Sequence, residues 1–208
     1  MDYKWLRDFT LKLLDQYSVA GNKIADTYNN QADYLKRIPE FADDGQMYLA
    51  TTAARLRTVA DMNSLGTGKL GNWTVYRLPE DCWQMCSGGV LRSDGHSLQR
   101  YHTYCMVGDD AIAVPEKLGG TLYLEYYRYP LLLGADPADK TPLDNTMEAQ
   151  MALPYYVAAH LVMHDNAFAY SALMNEFETK LARLREEIHT ELTVVEDVYS
   201  AAEQEYNA

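Results

Sequence analysis

The hydrophobic period changes twice along this 208-residue chain, and that change restricts it to a mixed α and β fold. Near the start, Trp5, Phe9, Leu13 and Tyr17 recur every four residues, with Leu6 and Leu14 widening the stripe. This is the spacing of one helix face. Gly21-Asn22 interrupts it as a C-cap or turn would. Asn29, Asn30 and Asp33 then offer N-cap oxygens ahead of Tyr34 to Arg37. Pro39 suits the first turn of a new helix, where its missing N–H leaves no bond unmade. From there Phe41, Gly45, Tyr48, Thr52, Leu56 and Val59 carry a helical surface to about Asn63. Toward the other end, Pro154 can open a helix that Val157 and Leu161 continue, and His164-Asp165-Asn166 breaks it. Leu173, Phe177, Leu181, Leu184 and Ile188 follow at spacings of four, four, three and four, an amphipathic helix.

Between these ends the period shortens. Residues 64–72 are rich in breakers and read as a loop. Short strand-like runs follow at 73–78, 82–86, 101–107, 111–114 and 121–129. Turn signals separate them at Ser87-Gly88-Gly89, Ser93-Asp94-Gly95, Gly108-Asp109-Asp110 and Gly119-Gly120. Connections this brief imply an antiparallel meander. Pro130, Pro137 and Pro142 stiffen an extended connection behind it. The expected architecture is α+β: a helical bundle drawn from both ends of the chain (1–63 and 144–190) with a small antiparallel β-sheet inserted at 64–130. A connection at 131–143 and an acidic C-terminal tail at 191–208, flexible or ordered on a partner, complete it. From Glu186 onward seven acidic side chains meet no Lys or Arg.

Composition narrows the function. Lys and Arg number 18 against 30 Asp and Glu, a net charge of −12. Gripping nucleic acid needs cations that displace phosphate counterions, and holding anionic lipid needs the same. Both are disfavoured. The opening Met1-Asp2-Tyr3-Lys4-Trp5 does not read as a signal peptide, and no run of 18 apolar residues suggests a membrane span. Three cysteines, an odd number, favour reduced thiols in a soluble, intracellular protein.

The chemical motifs each meet a plainer explanation. Gly66-Thr-Gly68-Lys-Leu-Gly71 matches G-x-G-x-x-G, but a helix precedes it and a strand follows, the reverse of a dinucleotide site. Leu70 after Lys69 also breaks a phosphate-loop pattern, so a flexible loop accounts for it better. Cys82, Cys86, Cys105 and His102 could suggest zinc. Yet the even spacing of Cys82 and Cys86 in a strand points both thiols to one face, as small apolar side chains. His160 and His164 lie four apart beside Asp165, but Leu161 stands where a metalloprotease motif needs Glu, and spacing indicates no third ligand. They read as the histidines of a helix C-terminus. The 17 Tyr and 9 Met supply amphipathic contact surface of the kind enriched between subunits.

Five segments carry a family resemblance: NQADYLKRIPEFADDGQMYLATT at 30–52, LPEDCW at 78–83, LYLEYYRYP at 122–130, ALPYYVAAHL at 152–161 and NEFETKLARL at 175–184. Their pattern and order resemble the head-to-tail connector, or adaptor, proteins of tailed bacteriophages, over roughly residues 30 to 185. The resemblance implies a virion structural protein without catalytic residues, metal or cofactor. It would form a ring, typically of twelve copies, bind the portal protein, join a downstream tail or neck protein, and form part of the DNA passage channel. Double-stranded DNA would pass without specific binding. The protein would lie at the virion neck after assembly in the bacterial cytoplasm, with no membrane contact. The acidic tail would reach into the portal. Candidate interface residues are Trp73, Tyr123, Tyr126, Tyr127 and Tyr129, with Glu196, Asp197, Tyr199 and Tyr206 in the tail. Two alternatives remain open: a small metal- or ligand-binding enzyme using His160, His164 and Asp165, and a monomeric module that binds a protein through its Tyr-rich sheet.

Overall fold

A computed structural model describes residues 1–14 and 31–191, with side chains at 1–14 and 32–185. Tyr17, Gly21-Asn22, Asn29, Asn30 and the tail beyond Glu191 lie outside the described residues. Helix α1 (Tyr3–Leu13) starts where the Asp2 carboxylate accepts the Trp5 N–H at 2.9 Å. Its buried face is Tyr3, Leu6, Thr10 and Leu11, and Trp5, Phe9 and Leu13 flank it half-buried. Helix α2 (Gln31–Thr52) runs unbroken through Pro39. The expected helix start there is therefore corrected. An interior proline costs about 3 kcal/mol, which is offset because the Pro39 ring and its neighbours Ile38 and Ala42 are buried.

Helix α3 (Met147–Val162) begins at Thr146, whose hydroxyl accepts the Ala149 N–H, and Pro154 again sits inside it rather than at its start. The turn at 163–166 breaks the chain as the sequence indicates, and α4 (Ala167–Glu191) follows. Phe177, Leu181 and Leu184 of α4 join Leu6, Ile38, Leu49, Leu153 and Leu161 in one core shared by all four described helices. Gly45 of α2 makes this possible. A Cβ there would lie 2.5 Å from Leu153 and 2.8 Å from Tyr156.

The β region is larger than expected. Strand β1 (Leu56–Asp61) replaces the last helical turns predicted up to Asn63, alternating half-buried and exposed residues. Strand β2 (Thr67–Leu70) occupies the expected loop and turns at Gly71, φ +59°, into β3 (Trp73–Arg77). Strand β4 (Cys82–Ser93) runs straight through Ser87-Gly88-Gly89, which forms a bulge instead of a turn. Strands β5 (Leu98–Tyr101) and β6 (Cys105–Val107) divide one predicted run, and β7 (Ala111–Pro115) and β8 (Thr121–Arg128) complete the set. They form two antiparallel sheets, β1-β8-β4-β5 and β2-β3-β7-β6, rather than one. Val90, Leu122, Leu124 and Tyr126 of the first meet Ile112 and Val114 of the second in a separate core.

The connection at 131–143 is extended but firmly held. The Asp43 carboxylate of α2 accepts the Leu133 and Gly134 N–H groups at 2.6 and 3.0 Å. Buried Gln46 accepts the Asp144 N–H at 2.9 Å, and the Gln150 amide donates to Leu143 and Asn145 carbonyls. Asp144 in turn takes both guanidinium nitrogens of Arg128 at 2.5 and 2.8 Å, tying the end of β8 to the helices. Among the described residues no helix is long and apolar enough to cross a membrane.

Candidate interaction surfaces

Strand β8 divides the candidate tyrosines between two faces. Leu122, Leu124 and Tyr126 point into the core between the sheets. Tyr126 is thereby removed from the interface set, since its ring is buried and its hydroxyl donates to Asp81 at 3.0 Å. Burial, then the bond to the Asp81 carboxylate, raises its pKa to about 12. Tyr123 and Tyr127 lie half-buried on the opposite face, and Tyr129 is exposed beyond the strand end. Trp73 belongs to the other sheet, paired with Pro115, so the structure does not bring it together with the tyrosines. Glu196, Asp197, Tyr199 and Tyr206 fall outside the described residues.

The face carrying Tyr123 and Tyr127 is built from register. Arg57 aligns with Tyr127, Val59 with Glu125, and Asp61 with Tyr123, while Leu91 aligns with both Tyr123 and Arg100. Side chains aligned in this way share a face. Arg57 pairs with the nearly buried Glu125 yet leaves half its own side chain in solvent. The Arg55 guanidinium lies 5.1 Å from the Tyr127 ring centre and 5.8 Å from that of Trp83, within cation–π range. The Arg100 guanidinium donates to the Ser87 carbonyl at 2.8 Å. Glu125 Oε2 and Trp83 Nε1 are buried, and neither has a hydrogen-bond partner among the described residues.

The expectation that Cys82 and Cys86 share a face does not hold. Cys82 aligns with Arg128 and Gln84 with Tyr127, so an extra residue intervenes and reverses the alternation. Cys82 packs beside the inter-sheet core, whereas Cys86 faces Glu125 and Arg57. Burial is the first cause raising both thiol pKa values, with Asp81 adding to Cys82 and Glu125 to Cys86. Cys105 and His102 are exposed, and Cys105 lies on β6 of the other sheet. No group of three or more metal-ligating side chains gathers among the described residues. His160 is ringed by Phe41, Tyr156 and Tyr170, and its Nδ1–H donates to the Tyr156 carbonyl at 2.8 Å. His164 and Asp165 are exposed in the turn beyond α3, so these two imidazoles do not share a helix face.

The helical layer carries surface that the sequence reading passed over. Met147, Met151 and Tyr155 are four apart on α3, and Tyr155 meets Phe9, which stacks near Trp5. Phe168 is 86% exposed, Leu131 73%, Met147 66% and Leu98, on β5, 61%. The spacing of Met147, Met151 and Tyr155 was the available signal, as was the alternation Arg55, Arg57, Val59. No family model and no curated protein matches this chain.

Proposed function

We propose that this chain is a head-to-tail adaptor of a tailed bacteriophage. It assembles with neighbouring copies into a ring, seats on the portal protein, meets a tail or neck protein below, and encloses part of the DNA channel. The helices act as a bundle from both ends of the chain, carrying the β region as an insertion.

The observation that supports this reading best is apolar exposure on separate parts of one subunit. Single exposed apolar residues are ordinary. Here Phe168 and Met147 lie on the helical layer and Leu98 on a sheet edge. A ring needs two different, complementary surfaces per subunit, because its contacts run head to tail. The net charge of −12 fits the channel role. Carboxylates lining a lumen repel phosphate, so DNA slides past without sticking.

Electron microscopy of the purified protein mixed with portal, and of virions, tests this. A closed ring at the neck is expected. Virions carrying the protein elsewhere, or a protein that remains monomeric on the portal while binding another partner, would overturn it. A basic or neutral channel in the assembled ring would remove the electrostatic part.

A further inference from the structure

The outer face of the first sheet carries a small excess of cations in this acidic chain. Arg55, Arg57 and Arg100 lie on or beside it, against two carboxylates, Glu125 and Asp61. Arg57 and Glu125 neutralise each other, which leaves Arg55 and Arg100 against Asp61, whose carboxylate accepts the Asn63 N–H but keeps its charge. The local balance is therefore positive in a molecule of net charge −12. Val59 and Leu98 stand exposed on the same face, with Tyr123 between them.

We infer that this arginine-bearing face docks the C-terminal segment of its own chain, residues 192–208. That segment holds Glu196, Asp197, Glu203 and Glu205 and no Lys, Arg or His. It also supplies Leu192, Val194, Val195, Val198 and Tyr199, apolar side chains for Val59, Leu98 and Tyr123 to cover. Carboxylates meet guanidinium groups in charge-assisted, often bidentate bonds. Seventeen residues extend to about 55 Å, enough to cross a domain of this size. Being tethered, the segment sits near its site at roughly millimolar effective concentration, which favours it over the same segment of another copy. The docking does not rest on the adaptor reading. If both hold, the segment is parked on the sheet in the free subunit and leaves it when a portal surface competes.

Hydrogen exchange on the full-length protein tests the docking without a portal. Amides of 192–208 are expected to exchange at least about tenfold more slowly than in a free chain. Arg55→Glu with Arg100→Glu abolishes that protection, as does 1 M salt, where the screening length is about 3 Å. Glu196→Lys with Asp197→Lys does the same while touching no residue of the described fold. Combining the two pairs restores it. Protection in α3 and β8 stays constant and reports an intact fold. Free-chain exchange in the wild-type tail, or protection that survives either reversal, overturns the inference. Protection that falls on dilution overturns its own-chain form.

Discussion

Tyr126 and Tyr127 are adjacent in sequence and opposite in chemistry. Tyr126 keeps its proton inside the core beside Asp81, with its pKa pushed to about 12. A pKa above the unfolded value near 10 means that the stability Tyr126 contributes is complete below about pH 10 and lost as pH rises toward 12. Unfolding measured from pH 9 to 12.5 should show an alkaline decline on the order of 2 kcal/mol that Tyr126→Phe largely removes. A Tyr126→Phe curve as steep as wild type would refute that account. Gly45 gives a second residue-level expectation. Gly45→Ala gains up to about 1 kcal/mol of helix propensity, but the new Cβ meets Leu153 and Tyr156 inside contact distance. Overpacking costs about 1–3 kcal/mol, so the melting temperature should fall by a few degrees. The sequence showed seven aromatic candidates but could not separate Tyr126 from Tyr127, because facing is decided by which strands flank β8.

At the scale of elements, strength of local pattern decided what could be read. Helix α4 was legible because Leu173, Phe177, Leu181 and Leu184 keep a 3.6-residue period over three turns. Strand β1 was not, since Leu56 and Val59 continue the spacing of Tyr48 and Thr52 while Thr58 and Val59 equally suit a pleat. Pro39 and Pro154 looked like helix starts because local cost is all a sequence displays; burial, which outweighs it, is tertiary. The β4 bulge likewise exists only in register with β8, and with it went the shared face of Cys82 and Cys86. One joint between elements is testable by acid. The hydrogen bond from Arg128 outweighs burial, and with help from the Leu131 N–H and the Arg128 charge it holds the Asp144 carboxyl below its usual pKa. A lowered folded pKa gives stability that is present above about pH 4 and lost as pH falls below it. Asp144→Asn should cost about 1–3 kcal/mol at pH 7. It should also flatten the melting-temperature curve between pH 5 and 2.5. An unchanged acid limb would assign the loss to other carboxylates.

At the scale of the molecule, the order helices, sheet, helices was plain from the two changes of period, and the second sheet was not. Its edge strand β2 is short and fully exposed, with too little alternation to announce itself, and nothing in the predicted runs showed that β3, β6 and β7 would pair apart from the rest. Of the candidate surfaces, the sequence offered only aromatic abundance; exposure at Phe168, Leu131 and Met147 follows from packing alone. Phe168→Glu tests their use. It should leave thermal stability within about 0.5 kcal/mol, because the Phe168 side chain makes little use of the fold's interior, while abolishing, in native mass spectrometry, the closed oligomer that the adaptor proposal requires. Rings that persist in Phe168→Glu would place the contact elsewhere. The clamp of Asp43, Gln46 and Asp144 on the 131–145 segment has a mechanical consequence. A pull on the first sheet enters β8, passes through Arg128 to Asp144, and reaches α2 within a few hydrogen bonds. The slack that the fifteen residues between Arg128 and Asp144 would otherwise provide is removed. Force applied to the sheet is delivered to the helical core as a tug on one stiff lever.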